Sequence, residues 1–557
     1  MVEVSRTGGE LAAASAQDCG SAPWNGCPNG YAAYDRPLAH RDILASAYAT
    51  ISYESAGRGV GRCLSKNSQA SLAVKSRVDS IDGSSQSESL PCKENPLLDH
   101  AKGPDVIIIG AGAAGLSAAA ALGKAGVSVT LLEARDRIGG RMFTLLDPKL
   151  QAPIELGAEF IHGRPHEIWN LLKSHNVQIT EMDGDNWCVE NERLSPCDFF
   201  SDVDKILKKM KFDVHKDKDD ERFLDFLERY SSRFDGTPQL QRAKEWATSY
   251  VSGFNAADPG LVSVNWLVKG MRTEEQIEGD RAFRAEHGYT DLIEVFQQSL
   301  NDGAVAVRKS TTVESVQWGP GRVEIITGSA NGEAKLSAPH ALITVPLGVL
   351  QARPDDKGAI QFNPNLPGKK QDAIRNILMG KVIRITLRFR ERFWEELPTM
   401  REKNSKTMGG MSFLFSHDGW FPTWWTMSPL KLPLLIGWAP FHCATRLSGR
   451  SESFVVEQSI ETLHRLLGLS TQKLHTLLEH AYFHDWQTDA FSRGAYSYGK
   501  VGQERAHQAL AEPIENTLFF AGEATDTEGQ NGTVHGAMAS GRRAATEIAE
   551  VIKVRVK

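Results

Sequence analysis

The sequence predicts an α/β fold in which a doubly wound parallel sheet is interleaved with a second domain of mixed sheets and helices. Three observations lead to this expectation. A strand–glycine turn–helix–strand unit begins near residue 106, strands and helices alternate through the rest of the chain, and a strand–helix pair closes it before residue 553. The 557 residues are enough for one large or two medium hydrophobic cores.

The opening unit contains the glycine-rich turn Gly110-Ala111-Gly112-Ala113-Ala114-Gly115, which follows an apolar run and precedes an alanine-rich segment. A second β-branched run then ends at Glu133. Glycines allow a tight turn whose amide groups approach a pyrophosphate, the helix N-terminus adds partial positive charge, and a carboxylate after the second strand can bind ribose hydroxyls. A merely packed Ala/Gly turn would not explain Glu133. The unit is therefore predicted to be Rossmann-like and to bind a dinucleotide.

The first 102 residues differ from the rest of the chain, because they are rich in Gly, Ser and Ala and contain four of the seven cysteines. We expect a disordered extension there, with a small folded module as the alternative. Beyond it, the predicted dinucleotide-binding domain comprises 103–165, 285–335 and 485–553, and the predicted substrate-binding domain comprises 166–284 and 336–484.

Hydrophobic periodicity predicts the elements of the folded part. The region 165–300 is predicted to be helical, and its charge-dense part at 209–221 to be a solvated helix face or loop. Alternating or continuous apolar runs predict strands at 305–326, 341–345, 381–389, 424–427, 434–438 and 518–521. Amphipathic patterns predict helices at 453–467 and 534–552.

Composition argues against several classes of protein. The net charge of −6 gives no basic field for nucleic acid, and no apolar run is long enough to cross a membrane. The first residues lack the pattern of a secretory signal. The seven cysteines are scattered without a C-x-x-C pair, which predicts free thiols in a reducing, cytoplasmic compartment and no metal site.

Two further segments indicate which dinucleotide is bound. The chain after Glu133 reaches Gly139-Gly140-Arg141, where the glycines let it turn back toward the diphosphate and Arg141 can neutralise the charge. Near the other end, Glu523 can accept hydrogen bonds from polyol hydroxyls, and the helix that begins near Thr533 can stabilise the negative charge of a reduced flavin. The alternative is an ordinary closing strand–helix unit with small packing residues. Together the two segments favour FAD over a nicotinamide.

The glycine-rich turn, these two segments and three further motifs together resemble the flavin-containing amine oxidase family over residues 104–552. The further motifs lie at 155–163, 344–350 and 493–498. Within the family the chain is most similar to the polyamine oxidase branch, through His162 and Thr533 in their local motifs. The resemblance implies the two-domain flavoprotein fold of the glutathione-reductase/hydroxylase type, with a Rossmann-like FAD-binding domain.

The resemblance implies a set of FAD-binding residues drawn from several motifs: Gly110, Gly112, Ala114, Gly115, Glu133, Ala134, Arg135, Gly140, Arg141, Gly157, Ala158, Glu159, Phe160, Val313, Trp486, Gly522, Glu523, Thr533 and Val534. FAD is expected to be bound non-covalently. The reason is that Ala495 stands where monoamine oxidases carry the cysteine that bonds the flavin.

The resemblance also implies the reaction. A primary or secondary amine, with a polyamine as one candidate, transfers a hydride equivalent to flavin N5, and the imine is released and hydrolysed. O2 then reoxidises the flavin and gives hydrogen peroxide. Tyr496 matches one of two positions that flank the substrate amine, and Thr533 occupies the other; His162 matches a histidine near the amine in animal polyamine oxidases. The ordinary alternatives are a core tyrosine and a structural histidine.

Arg384 is the clearest departure from the family pattern, which usually has a lysine here that holds a water near flavin N5. Arginine is bulkier and permanently charged. It is expected to hold the water in another geometry, to reduce oxygen reactivity or to bind an anionic group of the substrate, unless it pairs with a structural carboxylate. Lys381 would point to the opposite face of the predicted strand. Glu159 is a candidate carboxylate for a polyamine tunnel.

Two alternative enzymes are an L-amino acid oxidase and a flavin amine dehydrogenase with an acceptor other than oxygen. Many L-amino acid oxidases place an arginine where this chain has Phe160, although Arg384 could bind a carboxylate instead. A histone lysine demethylase is less favoured, because the extra helical domain and the long coiled-coil insertion of that branch are not evident. The expected partners are a small-molecule amine and O2, without nucleic acid or membrane. The identity of the amine and the oligomeric state stay open.

Overall fold

The computed structural model describes residues 103–197, 199–214, 219–232, 237–300, 303–328, 332, 334–397 and 407–553. The predicted extension at 1–102 and part of the charge-dense segment 209–221 lie outside the described residues.

The described part up to residue 300 begins with a β-rich portion and continues with a largely helical one. The first portion contains β1 (Val106–Ile109), α1 (Ala113–Lys124), β2 (Val129–Leu132), β3 (Thr144–Asp147), β4 (Ala152–Glu155), β5 (Ile161–His162), α2 (His166–Ser174), β6 (Ile179–Glu181), β7 (Asp185–Glu190) and β8 (Arg193–Pro196). The second contains α3 (Phe199–Asp213), α4 (Phe223–Ser231), α5 (Pro238–Phe254), α6 (Val264–Gln276), β9 (Ala282–Ala285) and α7 (Tyr289–Leu300).

The described part after residue 302 alternates between strands and helices. Its elements up to residue 397 are β10 (Val305–Arg308), β11 (Thr312–Gly319), β12 (Arg322–Gly328), β13 (Ala334–Ala338), β14 (His340–Ile343), α8 (Leu347–Leu350), β15 (Gln361–Asn363), α9 (Gly368–Asn376), β16 (Leu378–Met379) and β17 (Val382–Phe389). The remaining elements are β18 (Met411–Phe415), β19 (Thr423–Trp425), β20 (Leu434–Pro440), α10 (His442–Leu447), α11 (Glu452–Leu467), α12 (Thr471–Leu477), β21 (Leu478–Phe483), β22 (Ser497–Tyr498), α13 (Ala506–Ala511), β23 (Leu518–Phe520) and α14 (Val534–Ile552).

A five-stranded parallel sheet, with the strand order β10-β2-β1-β14-β23, contains the predicted opening unit. The strands β1, β2, β14 and β23 are mostly apolar and buried, as parallel strands covered on each side require, whereas the edge strand β10 is largely exposed. α1 and α14 pack together against it. Where the two helices cross, a Cβ on Gly541 would lie 2.2 Å from the carbonyl oxygen of Ala114, so this approach requires glycine. The sheet confirms the predicted fold class.

The same sheet changes one predicted boundary. β14 pairs in parallel with β1 and β23, although it falls within the predicted substrate-binding segment 336–484. Its three buried apolar residues after His340 are typical of a central parallel strand. The rest of the predicted division into domains stays a prediction.

A seven-stranded sheet, with the order β21-β17-β20-β19-β18-β7-β8, forms the second large β structure. One apolar core at this sheet contains the fully buried Trp187, Trp394 and Trp424. A second core, around Trp246, joins the sheet to the helices α3, α4, α5 and α6. β17 is buried on both faces, so that its arginine at position 384 is enclosed together with apolar neighbours.

The region 165–300 is less purely helical than predicted. The helices from α2 to α7 are present, but the four short strands β6 to β9 lie among them. β7 and β8 form a hairpin around Asn191 and Glu192, whose φ angles of 48° and 62° are typical of a type I′ turn. Because this turn contains no glycine, the sequence gives little indication of the hairpin.

A disulfide joins Cys188 to Cys197, which corrects the prediction that the cysteines are free thiols. The two cysteines are nine residues apart and match no common disulfide motif. The pairing of β7 with β8 brings them together. Cys443 is a free thiol, as predicted.

Candidate functional site

The glycine-rich turn between β1 and α1 is held by backbone contacts that exclude larger residues. Gly110 has a φ of 106°, in the left-handed region that favours glycine. A Cβ on Gly115 would lie 1.9 Å from the carbonyl oxygen of Gly110. Gly112 differs, since nothing lies within 4 Å of its Cβ position. The turn is therefore closed on its protein side and open at Gly112, where a diphosphate would approach.

Glu133, at the end of β2, fixes this turn. Its carboxylate is buried and accepts hydrogen bonds from the backbone amides of Ala111 and Arg135, at 2.9 and 3.0 Å. Thr344, after β14, donates its hydroxyl to the carbonyl oxygens of Ile109 and Gly110. Three neighbouring strands thus contribute to one turn at their carboxyl ends, where ligands bind in open α/β sheets.

The second glycine segment packs directly on the first. The amide of Gly139 donates to the carbonyl oxygen of Ala111 at 2.8 Å. Gly140 has a φ of 59°, and its Cβ position is 3.2 Å from the Cα of Gly112. We call residues 110–115 and 139–141 together the glycine clamp.

Arg141 connects the glycine clamp to the other end of the chain. Its Nη1 donates to the carbonyl oxygen of Ala495 at 2.7 Å and to Glu523 at 3.0 Å. Glu523 is buried and also accepts hydrogen bonds from Ser497 and from the amide of Gly532. Burial alone would raise the pKa of Glu523, but Arg141 and Ser497 outweigh it and hold this pKa below its usual value. Arg141 and Glu523, from the two ends of the predicted FAD-binding region, are therefore in direct contact.

Thr533 is the N-cap residue of α14. Its hydroxyl oxygen accepts a hydrogen bond from the amide of Gly536 at 2.9 Å, and the hydroxyl donates to the carbonyl oxygen of Gln530 at 2.7 Å. Val534 begins the helix. The amide groups of the first helical turn carry partial positive charge toward the site. The visible role of Thr533 is thus to cap this helix.

The other predicted FAD-binding residues lie close to the same segments. The Cβ position of Gly157 is 1.9 Å from the carbonyl oxygen of Arg141, and the amide of Ala158 donates to that oxygen. Trp486 donates its indole N–H to the carbonyl oxygen of Leu156 at 2.7 Å. Ala134 and Arg135 directly follow Glu133, and Arg135 pairs with Asp489. The remaining predicted FAD-binding residues here are Ala114 in α1, Val313, which is buried in β11, and Gly522, which precedes Glu523.

These features fit an FAD molecule. The glycine clamp exposes backbone at Gly112, and the buried acids Glu133 and Glu523 lie at its two sides. Glu133 would hold the ribose, the clamp and Arg141 the diphosphate, and the N-terminus of α14 the pyrimidine end of the flavin.

A buried cluster of three charged residues lies next to the Gly157–Ala158 segment, and we call it the charged triad: Glu159, Arg284 and Arg384. Glu159 pairs with the Nε of Arg284 at 2.6 Å and with the Nη2 of Arg384 at 2.7 Å. Trp425 donates its indole N–H to the same carboxylate at 3.1 Å. Burial alone would raise the pKa of Glu159, but Arg384 and Arg284 outweigh it and hold this pKa below its usual value.

Arg384 is therefore paired with a carboxylate. This pairing was one of the alternatives that the sequence left open for the role of Arg384. It also donates from Nη1 to the carbonyl oxygen of Gly157 at 3.1 Å. Among the described residues, its buried Nε has no hydrogen-bond partner. Glu159, which the sequence suggested for a polyamine tunnel, is neutralised by two guanidinium groups. It is consequently a poor anchor for a substrate ammonium.

Neighbouring aromatic rings extend from the charged triad to Gly532, just before α14. The ring of Phe160 lies 6.0 Å from that of His162 and 5.6 Å from that of Trp425. Phe254, at the end of α5, contacts the edge of His162 at 5.3 Å. Tyr496 donates its hydroxyl to the carbonyl oxygen of Phe254 at 2.8 Å. We call this set of five rings the aromatic wall.

The polar rings of the aromatic wall are kept uncharged by burial. Burial lowers the pKa of His162 to about 4 and raises the pKa of the Tyr496 hydroxyl. His535, in the first turn of α14, carries a pKa lowered to about 3 by burial and by the neighbouring His162 and His166. Neutral His162 and Tyr496 face the same Phe254, so the structure brings two of the predicted catalytic residues together.

Three contributors to the site carry weak sequence signals. Arg284 belongs to the four-residue strand β9. The only sign in the sequence that it belongs to a site was a charged side chain between apolar neighbours. Trp425 and Phe254 come from segments that look like ordinary core. Only the tertiary structure places them beside Glu159 and His162.

A protein-family model described as flavin containing amine oxidoreductase matches residues 113–549. This chain belongs to that family. It is an oxidoreductase that oxidises amines with FAD, as its resemblance to the family implied. The match includes α1, most of α14 and all elements between them.

Individual relatives are similar over most of the chain. Polyamine oxidase 3 of Oryza sativa subsp. japonica is 27% identical over 466 residues, which are 80% of this chain and 89% of that relative. Lysine-specific histone demethylase 2 of Homo sapiens is 28% identical over 471 residues, and the match covers 80% of this chain but 53% of the demethylase. The family amine-oxidase region is thus shared with proteins of different length.

Solved structures show the same fold. A putrescine oxidase bound to putrescine is similar with a TM-score of 0.66 at 20% identity, covering 81% of this chain and 99% of that one. Cyclohexylamine oxidase from Brevibacterium oxydans IH-35A is similar with a TM-score of 0.64 at 20% identity, covering 81% and 100%. In the described part of this chain, no helix has the length and apolar character needed to cross a membrane.

Proposed function

We propose that this amine oxidase acts on a diamine or polyamine, that it binds FAD without a covalent bond, and that O2 is its electron acceptor. The observation that carries the proposal is the aromatic wall, which adjoins the FAD-binding segments and faces them with uncharged side chains. The similarity to polyamine oxidases over 80% of the chain supports the class of substrate.

The aromatic wall would prepare the amine for oxidation. An amine must be neutral to lose a hydride equivalent, and surroundings with little water disfavour the ammonium form. Phe160, Phe254 and Trp425 supply apolar surface, while the neutral ring of His162 can accept a hydrogen bond from an amine N–H. Tyr496 would orient the substrate through its ring face, since its hydroxyl is already bound to Phe254.

FAD, when bound, supplies the hydride acceptor. The chain's own contribution is to hold both ends of the cofactor, at the glycine clamp and at Glu523. Ala495 has no side-chain nucleophile, which supports non-covalent binding. Denaturation of the holoenzyme should release intact FAD into the supernatant, whereas flavin that stays on the polypeptide would contradict this part.

Arg384 is proposed to act through the charged triad. It is fixed by Glu159 and Gly157, and its buried Nε, which has no hydrogen-bond partner among the described residues, is available to donate to a water or a cofactor atom. The Arg384→Lys variant tests this role. If the rate of flavin reoxidation by O2 and the substrate kinetics both stay unchanged, Arg384 has no part in the reaction.

The substrate proposal is tested with the purified holoenzyme and a panel of monoamines, diamines, polyamines and L-amino acids. We expect flavin reduction and hydrogen peroxide with diamines or polyamines, at higher kcat/KM than with monoamines of equal length. Reduction only by amino acids would instead indicate an L-amino acid oxidase. Flavin reduction without peroxide would indicate a dehydrogenase.

The absence of nucleic-acid partners and a cytoplasmic location stay predictions. The disulfide between Cys188 and Cys197 removes the free-thiol argument for that location, because such bonds persist mainly in oxidising compartments. The compartment is best tested by fluorescence microscopy of the tagged full-length chain.

A further inference from the structure

Glu274 lies on the inner face of α6. Leu267, Met271 and Glu274 are spaced by four and three residues, so they share one stripe of the helix. Leu267 is buried in the apolar core that joins α3, α4, α5 and α6, and Met271 packs against that core. The carboxyl group of Glu274 is therefore directed toward the protein, where it is half-buried.

Glu274 differs from its acidic neighbours, because they are paired. Glu275 pairs with Lys211, and Glu278 pairs with Arg164 and Arg281. The carboxyl group of Glu274 has no hydrogen-bond or ion-pair partner among the described residues, although its backbone carbonyl accepts from Ile277 and Gly279. Burial raises the pKa of Glu274 to about 7. A carboxylate in such surroundings is stabilised by a cation that enters beside it.

One further ring, that of Tyr250 in α5, lies between Glu274 and the aromatic wall. Tyr250 packs against the same apolar core as Met271, which precedes Glu274 by three residues on α6. Burial raises the pKa of the Tyr250 hydroxyl, and the charge of Glu274 adds to this shift. The ring of Tyr250 stacks on that of Phe254, with centroids 5.4 Å apart and planes 6° from parallel. Phe254 in turn contacts His162 and accepts the hydroxyl of Tyr496. Neighbouring rings thus extend from the proposed oxidation site to Tyr250, which packs against the core that the Glu274 stripe of α6 also faces.

We propose that Glu274 binds the distal ammonium group of a diamine or polyamine while the other nitrogen lies beside His162 and Tyr496. The methylene chain would lie along the rings of Phe254 and Tyr250, whose faces also favour a nearby cation. Glu159 is unsuited to this role because two arginines neutralise it. This inference rests on the proposed function, and it names the residue that selects a second cationic group.

The test compares two amines of equal chain length, 1,4-diaminobutane and butylamine. Their apparent dissociation constants are obtained from the concentration dependence of flavin reduction in the holoenzyme without O2. An amine that is not oxidised is measured as a competitive inhibitor of one that is. The variants are Glu274→Gln and the matched control Glu275→Gln, whose side chain is paired with Lys211 and 60% exposed.

We expect Glu274→Gln to weaken the binding of 1,4-diaminobutane about tenfold or more, as the loss of a charge-assisted hydrogen bond implies. The binding of butylamine, the limiting rate of flavin reduction and the thermal unfolding temperature should change little. Glu275→Gln should change neither amine. Equal weakening of both amines, or unchanged binding of the diamine, would overturn the assignment of Glu274.

Failure of the proposed function gives a different result. If wild-type enzyme oxidises butylamine but no diamine or polyamine, the substrate proposal fails. The role of Glu274 is then still decided by inhibition. A diamine that inhibits wild type more strongly than Glu274→Gln supports it, and equal inhibition of the two proteins contradicts it.

Discussion

The glycine clamp and the charged triad are neighbours in space but are built in different ways. The clamp comes from two segments close in sequence, and backbone amides and carbonyls make its decisive contacts. The triad comes from three elements far apart in sequence, and its contacts are made by long charged side chains. Short backbone motifs are recognisable in a sequence, whereas side-chain partners across a fold are not.

The two regions also differ in how they tolerate substitution. In the clamp, the space at a glycine Cβ position decides whether a methyl group can be added. In the triad, charge balance decides, because the removal of one member leaves another buried and uncompensated. This difference can be tested at single positions.

The largest effect is expected at Gly115. In Gly115→Ala the added methyl group would lie 1.9 Å from the carbonyl oxygen of Gly110, so the turn cannot keep its conformation. We expect loss of soluble, FAD-containing protein, measured by flavin absorbance per polypeptide after purification. Gly112→Ala is the matched control, since nothing lies within 4 Å of its Cβ. It should fold and bind FAD more weakly; normal FAD content in Gly115→Ala would contradict the account of the turn.

A large but smaller effect is expected in the charged triad. Glu159→Gln leaves two buried guanidinium groups without their shared carboxylate, and we expect it to lower the free energy of unfolding by about 3 kcal/mol. Arg384→Met should cost less, because Glu159 keeps Arg284. Urea unfolding of the apo-protein measures both. Lys149→Met, which removes a surface ion pair with Glu479, should cost at most about 1 kcal/mol. If Glu159→Gln costs no more than Lys149→Met, the triad is not a buried charge network.

Acid should destabilise the fold through His535. Its folded pKa is about 3, below the ordinary value of 6.5, so its neutral form stabilises the fold above pH 6.5. This contribution is lost as the pH falls from 6.5 toward 3, at about 1.4 kcal/mol per pH unit. His535→Gln should therefore lose less stability than wild type between pH 6.5 and 5 in urea unfolding. The exposed His475→Gln serves as control and should follow wild type.

The smallest effect is expected at Thr533. Thr533→Ala removes the oxygen that accepts the amide of Gly536 and should cost about 1 kcal/mol of unfolding free energy, while Thr533→Ser should keep the cap. Thermal unfolding of both variants checks this. If Thr533→Ala alters kcat/KM for amines without altering stability, the residue contacts substrate and its capping role is secondary.

The parts that the sequence predicted best depend on local order. The order of β1, the glycine turn, α1 and Glu133 could be recognised because Gly110 and Gly115 are required by the backbone geometry of their own segment. The helix predicted at 534–552 is observed with the same bounds. The hairpin of β7 and β8 could not be predicted in the same way, because its turn uses Asn191 and Glu192 instead of glycine.

For the candidate site, the sequence located residues but not partners. It singled out Arg384, and the alternatives it left open could be reduced only by the contact with Glu159. It suggested Glu159 as an anion for the substrate, and the pairing of Glu159 with Arg284 from β9 argues against that role. Glu274 carried no motif at all, and its surroundings alone distinguish it from Glu275.

The sequence by itself determined the α/β class and, through the resemblance of its short motifs, the amine oxidase family, and it predicted the FAD-binding segments. The tertiary structure decided which charges neutralise one another, which rings form the aromatic wall and which acid is left for a substrate cation. The physical reason is that electrostatic energy depends on distance and burial. Neither is fixed until elements hundreds of residues apart, such as Glu159 and Arg384, have packed together.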